Sequence, residues 1–428
     1  MERKLLIPIP RRSQPGWLIH ILLILPLLLG TVNDLLGLPY GIRYLLDGAW
    51  VGLLIYLLRF YALVDWTYIR KFNLLIGAFL LITALVYPVQ YQSALYYLWG
   101  LRNNFRFYVA FLAYAAFLTR EDLDGYDTLF DKVFWINAAV SAVQFVCLGF
   151  RGDHLGGIFG IPSGVNGYTN IFFLIVLTRS LVRYLEKQEC LSLCAAKFLA
   201  AVAIAALAEL KFFFVELVVL LCLGVLVTDF TWRKFWVILG GGAVVLAGVA
   251  LLNASFSQYP GWFSPKWMLR AVTSRHGYTS SGDLNRLTAI PRINELWLQH
   301  WSQRIFGKGL GNCDTSSFAF LNTPFFRNYG HMHYSWISYA FTYLETGWVG
   351  LCFYWGFFLL VAVRAYRLGK HSPDADKVRC HTAMILAVLA LLLSVYNASL
   401  RAESAYMLYY ALAAPFGAAK CEKKEGLP

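Results

Sequence analysis

Long apolar runs separated by short polar gaps make up most of the chain. A helix of about 20 apolar residues crosses the hydrocarbon core of a bilayer. Runs of that order fall at roughly 17–36, 45–64, 73–90, 105–119, 132–150, 168–185, 192–209, 211–229, 235–253, 346–364, 380–397 and 403–418. They predict an all-α, polytopic integral membrane protein with about twelve transmembrane helices, in which 1–428 is one membrane domain. The pattern fails on a large scale once, across 254–333, which predicts one long extramembrane loop carrying amphipathic helices.

That loop has its own pattern. Asp283-Leu284-Asn285-Arg286-Leu287 opens a stretch with Arg292, Glu295, Trp297 and Trp301, which reads as an amphipathic helix lying along a membrane surface. Gly307-Lys308-Gly309-Leu310-Gly311 predicts a tight turn. It has neither Walker nor dinucleotide-binding spacing. His331-Met332-His333 and Glu345-Thr346-Gly347-Trp348-Val349-Gly350 follow. The acidic run Glu121-Asp122-Leu123-Asp124, with Asp127 and Asp131, reads as a solvated loop. Gly240-Gly241-Gly242, inside an apolar run, predicts close helix packing.

Lys and Arg in the short gaps orient the chain. One set of alternate gaps and both termini carry Arg3, Lys4, Arg11 and Arg12, then Arg70 and Lys71, Arg183, Lys187 and Lys197, Arg233 and Lys234, the basic residues from Arg364 to Arg379, and Lys420, Lys423 and Lys424. The other set carries only Arg43, Arg102, Arg151 and Arg401. Both termini are therefore expected in the cytoplasm, and the 254–333 loop outside.

Composition agrees. Hydrophobic residues are 59% of the chain, charged residues 14%, and mean hydropathy is +0.55. Soluble domains carry about a quarter charged residues. The net charge of +13 is scattered between apolar runs and no nucleic-acid-binding motif is present, so no nucleic-acid partner is expected. Eight cysteines lie mostly in or beside apolar runs and read as small buried thiols. No metal and no cofactor is expected, because His331 and His333 lack a third ligand nearby.

Charged residues at the outer rim are the candidates for chemistry. The arginines of the long loop, Arg275, Arg286 and Arg292, fit a phosphate or pyrophosphate clamp, since guanidinium forks match phosphate oxygens two at a time. They also fit contact with anionic lipid headgroups. Lys211 beside Glu209 fits the same clamp, or a lysine snorkelling to the interface with its neighbour. Arg106 and Arg43 stand near the same face as weaker candidates, with outer anchoring as the plainer reading. A histidine after such a loop suits a general base near neutral pH.

With these residues laid out, the chain resembles the O-antigen ligase and Wzy-type O-antigen polymerase superfamily of bacterial membrane glycosyltransferases. Gly156-Gly157-Ile158-Phe159-Gly160 with Asn166-Gly167 and Asn170 is similar to that family's glycine–phenylalanine–glycine segment. Glu209-Leu210-Lys211 stands where the family often has Ser-Arg. Arg286 with Phe306-Gly307-Lys308-Gly309-Leu310-Gly311 resembles its arginine and glycine turn. His333-Tyr334-Ser335-Trp336-Ile337 with Glu345-Thr346-Gly347-Trp348-Val349-Gly350 resembles its His-Asn-x-x-Leu and Glu-x-Gly-x-x-Gly ending. The apolar pattern matches nearly throughout, the motifs over about 160–350. Lys211 departs from Arg and Tyr334 from Asn, which leaves two registers for the histidine, His331 and His333. Spacing to Glu345 and Gly347 favours His333.

The resemblance implies metal-independent glycosyl transfer at the outer face of the bacterial inner membrane. Its donor is a glycan on undecaprenyl pyrophosphate, and a flippase and a chain-length regulator are its implied partners, with membrane lipid around it. His333 would be catalytic, with Arg286, Lys211, Arg292 and Arg275 on the pyrophosphate and His331, Arg106, Arg43 and Glu345 in lesser roles. The outer tryptophans 262, 267, 297, 301 and 336 would stack on sugars. The first expectation is a repeat-unit polymerase for O-antigen or exopolysaccharide. A ligase that moves the glycan to lipid A core shares the chemistry. A polysaccharide transporter is the reading of another class, and it would place charges and broken helices at the midplane in two matching halves.

Overall fold

A computed structural model describes residues 15–425 apart from 35, 91–92, 163, 257–265, 267–268, 270–272 and 275–281. The described chain is helical, 80% of it, and contains no strand. Its helices are α1 (Pro15–Asp34), α2 (Leu45–Arg59), α3 (Arg70–Val86), α4 (Ala94–Phe117), α5 (Arg120–Val146), α6 (Asn166–Leu185), α7 (Leu191–Leu207), α8 (Lys211–Val227) and α9 (Arg233–Ser255). The loop region contributes the short α10 (Ala289–Leu296), α11 (Trp301–Phe306) and α12 (Pro324–Tyr329). The chain ends with α13 (Ser338–Gly369), α14 (Asp374–Tyr396) and α15 (Ala405–Glu425).

Seven of the described helices are long and apolar enough to cross a membrane: α1, α2 with the turn before it, α3, α5, α9, α13 and α14. The other long helices, α4, α6, α7, α8 and α15, coincide with expected runs but are shorter or carry more polar and charged side chains. Packing explains part of the difference. From Thr169 to Val182 every residue of α6 is buried, and α15 is buried from Ala405 to Lys420. A helix surrounded by protein does not need an apolar surface for lipid. By contrast α9 buries only Val237, Gly248 and Leu252, and exposes Phe235, Trp236, Ile238, Leu239 and Leu246. Within its glycine run only Gly241 approaches a neighbour closely, the side chain of Leu221 on α8.

The centre is aromatic. Phe72 of α3, Phe107, Tyr108 and Phe111 of α4, Phe357 of α13 and Tyr406, Tyr409 and Phe416 of α15 meet with ring centroids 4.8–6.0 Å apart. Such pairs add about 0.5–1.5 kcal/mol each beyond area burial.

The acidic run corrects the expectation of a solvated loop. Thr119 and Asp122 form a reciprocal N-cap, so α5 begins at Arg120 and the acidic residues occupy its first turns. Asp127 and Asp131 are ion-paired there: Arg179 Nη1 lies 2.7 Å from Asp127 Oδ1, Arg379 Nη2 lies 3.2 Å from Asp127 Oδ2, and Lys197 Nζ lies 3.1 Å from Asp131 Oδ1. This network ties α5, α6, α7 and α14 at one end of the bundle. The gaps at 40–44, 151–165, 208–210 and 397–404, with the region from Asp283 to Ile337, gather at the other. Arg43 donates to Ser317 Oγ at 2.9 Å, Trp99 Nε1 to Thr315 O at 3.3 Å, and Tyr168 Oη to Glu403 Oε2 at 2.6 Å.

Candidate functional site

At that second end lies a cavity of about 540 Å³. It is walled by Asp153 and the 164–170 segment, the turn between α7 and α8, Arg286, Trp336 and the 396–402 loop. Each wall has a local cause. Before α6 the chain makes only two short 3-10 turns, Gly152–His154 and Gly157–Phe159, and side chains supply further hydrogen bonds. Gln144 exchanges two bonds with Gly157, at 2.7 and 2.9 Å, Asn137 accepts from Ile158 N at 2.9 Å, and Asp34 accepts from Ile161 N at 2.7 Å. Irregular backbone is tolerated at membrane depth only when protein satisfies it in this way. The resemblance's glycine–phenylalanine–glycine segment is fixed in this way behind the cavity, which is lined by the Asn166, Gly167 and Asn170 that follow it.

Lys211 begins α8 and forms an ion pair with Glu209, Nζ to Oε1 2.8 Å, with both side chains about a quarter exposed. Glu209 is left-handed, φ +59°, a backbone state that costs a non-glycine residue about 1–3 kcal/mol. Both residues line the cavity. Across from them Arg286 is held from two directions. Its Nε donates to Tyr396 O at 2.8 Å, and its guanidinium carbon lies 4.4 Å from the Tyr396 ring centroid. Tyr396 in turn stacks on Phe212 of α8, centroids 4.1 Å apart and rings 4° from parallel. The Lys211 helix and Arg286 are thus registered through one aromatic ring.

His333 does not itself line the cavity but stands against Trp336, which does. It is also left-handed, φ +52°, and its ring stacks on Trp336 at 3.8 Å. His333 Nδ1 is buried and has no hydrogen-bond partner among the described residues. His331 is exposed on the preceding turn. Tyr334, the departure from the family pattern, is buried and donates to Cys313 O at 2.7 Å.

Other expected site residues fall elsewhere. Arg292 is outside the cavity, on the surface of α10, paired with Glu295 at 2.9 Å. The geometry therefore takes it out of any shared clamp with Arg286 and Lys211. Arg275, Trp262 and Trp267 lie outside the described residues. Trp297 does not present a face to solvent: it is buried against Phe325, Tyr329 and Tyr334. Instead of one surface-lying helix, the stretch forms two short ones, α10 and α11, separated at Trp297. Glu345 is buried beneath the glycine turn, where its Oε1 accepts from Cys313 N at 3.1 Å.

That turn is an interlock. Lys308 N and Gly309 N donate to Leu344 O and Glu345 O, both at 2.9 Å. Gly347, φ +63°, breaks α13 so that the turn can enter. A Cβ on Gly347 would stand 2.3 Å from the backbone of Ile305, and one on Gly307 would stand 2.3 Å from that of Glu345. The two glycine motifs thus seat against each other, and between them they set the approach of the loop region to the bundle. Cys313, packed in the same place, has its thiol pushed well above the ordinary range by burial, which suits a buried thiol and not a nucleophile.

Arg43 and Arg106 line a second cavity of about 530 Å³, with Arg102, Arg401, Asp314, Glu403, Trp99, Tyr44 and several hydroxyls. Ala398 and Ala402 border both cavities. Arg401 and Glu403 were legible only as a polar gap between two apolar runs. Burial raises the Glu403 carboxyl, but the Arg106 charge, 3.5 Å away, and the Tyr168 hydroxyl outweigh it and hold it below the ordinary range. Compared with known proteins, the chain matches no family model and no curated sequence.

Proposed function

We propose that the chain is a membrane glycosyltransferase that moves a glycan from undecaprenyl pyrophosphate to an acceptor sugar, with repeat-unit polymerisation as the leading form. In this reading its twelve helices span the bacterial inner membrane, both termini are cytoplasmic, and the loop region is periplasmic. The observation that carries it is the meeting of Lys211, Arg286 and Trp336 around one cavity, with His333 stacked on Trp336. The pyrophosphate lies between Lys211 and Arg286. As the bond between the anomeric carbon and the phosphate oxygen breaks, the leaving group keeps the electron pair and gains charge, which fixed cationic donors stabilise. The acceptor hydroxyl forms the new bond to the anomeric carbon and gives its proton to His333. Arg275 keeps its proposed place beside the pyrophosphate.

The test is transfer by the purified protein in lipid nanodiscs. Given an undecaprenyl-pyrophosphate-linked repeat unit alone, it lengthens the lipid-linked chain. If chains appear only on added lipid A core, the ligase form replaces the polymerase. If neither substrate is consumed, the glycosyltransferase reading fails. A reporter inserted at 275–281 tests orientation independently, because a cytoplasmic signal there removes the periplasmic donor.

A further inference from the structure

The second cavity has a chemistry of its own. Arg43, Arg102, Arg106 and Arg401 line it against only two carboxylates, Asp314 and Glu403. Arg102 is occupied by Asp47, its Nε and Nη2 donating at 2.8 and 2.7 Å. Arg106 and Arg401 pair only loosely, each 3.5 Å from a carboxylate, Glu403 and Asp314, and each keeps a buried donor without a hydrogen-bond partner among the described residues. Arg106 is 3% exposed, donates from Nη2 to Arg401 O at 2.8 Å, and leaves Nε without a hydrogen-bond partner among the described residues. Arg401 lies 3.5 Å from Asp314 through Nη2 and leaves Nη1, also buried, without one. A buried, unsatisfied guanidinium donor is costly and is satisfied best by an oxyanion.

The rest of the lining narrows the ligand. Thr315, Ser316, Ser317 and Ser335 contribute hydroxyls, and Trp99 and Tyr44 contribute aromatic rings, with Arg102 set against Trp99 and Arg43 against Tyr44. Hydroxyls beside aromatic rings suit a sugar ring, whose edges are polar and whose faces carry C–H groups. From this we infer that the second cavity is a binding site for an acidic sugar, held by its carboxylate at Arg106 and Arg401. The site adjoins the first across Ala398 and Ala402 and is divided from it by the bond between Tyr168 and Glu403. Resting on the glycosyl-transfer reading, the acidic sugar belongs to the acceptor glycan, one wall away from the pyrophosphate.

The probe is glucuronic acid, with glucose as the neutral control, observed by saturation-transfer NMR on the full-length protein in phosphatidylcholine nanodiscs. Glucuronic acid should bind about tenfold or more tightly than glucose, the size expected for charge-assisted hydrogen bonds. Arg401→Gln should abolish the difference. Arg43→Gln, at the rim and clear of the buried network, should weaken it, which keeps the test valid if Arg401→Gln does not accumulate. Arg286→Gln, in the other cavity, should leave it intact. Equal binding of the two sugars overturns the site. So does loss in Arg286→Gln with retention in Arg43→Gln, or displacement of glucuronic acid by phosphatidylglycerol in the nanodisc, which would make a lipid headgroup the ligand. No donor or transfer enters this readout. A protein that binds glucuronic acid but transfers nothing sinks only the activity, and one that transfers without binding it sinks only the site.

Discussion

Arg286 donates its Nε to the carbonyl of Tyr396 at 2.8 Å and lays its guanidinium against the same residue's ring. Both contacts depend on a planar fork. Arg286→Lys keeps the charge and loses the bond and the stack, so transfer should fall about tenfold or more while the protein still accumulates in the membrane. Chain formation in membranes from a strain carrying only the variant measures it. Full activity would leave Arg286 as a lipid-facing charge.

His333 packs on Trp336, which lines the cavity, whereas His331 is exposed. His333→Ala should lower transfer by about a hundredfold or more, the usual contribution of a general base, and His331→Ala should change it little. The reverse order would move the base to His331. Trp336→Ala should lower transfer with the imidazole still present, because the ring would lose its support.

Gly347 and Gly307 have no room for a side chain, and both are left-handed. Gly347→Ala should destabilise the protein by about 1–3 kcal/mol and reduce its level in the membrane. Gly240→Ala has open space around its Cβ and should be neutral. Thermal unfolding in detergent separates the two; equal midpoints would remove the interlock as a structural need.

Glu403 is held below the ordinary carboxylate range by Arg106 and Tyr168 despite its burial. A group whose value is lowered on folding contributes stability that is present above its unfolded value, about 4.3, and is lost as pH falls through the lower folded value. The wild type should therefore be more stable than Glu403→Gln at neutral pH, and that difference should shrink on acidification below pH about 4. A difference that stays constant with pH would show that the ion pair contributes no linkage. Arg106→Gln should cost more, about 3–5 kcal/mol, because it leaves a carboxylate without its cation.

How much of this was legible before folding depends on what kind of information each feature needs. Although α4 and α5 begin at Ala94 and Arg120, well ahead of the runs expected from 105 and 132, apolar runs overlap every long helix. The reason is that a chain in lipid has to satisfy its own backbone and present apolar side chains to the surroundings. Lys211, Arg286 and His333 stood out for the same reason, as charged or titratable groups beside lipid-length runs. Runs do not record which helices are surrounded by others. The burial of α6 and α15, and the pairing of Asp127 with Arg179 and Arg379, came only with packing. Nor do they record which cations share a cavity. Arg292 and Arg286 are near in sequence, yet the turn into α10 sends Arg292 to the surface with Glu295, while Arg286 meets the Lys211 helix through Tyr396. Arg401 and Glu403 looked like an ordinary gap until Arg106 and Tyr168 were brought against them. Sequence by itself determined the helices and the polar ends, because those follow from each residue's own solvation. Tertiary structure decided the cavities, because a cavity is made of side chains from distant segments whose distances only helix packing sets.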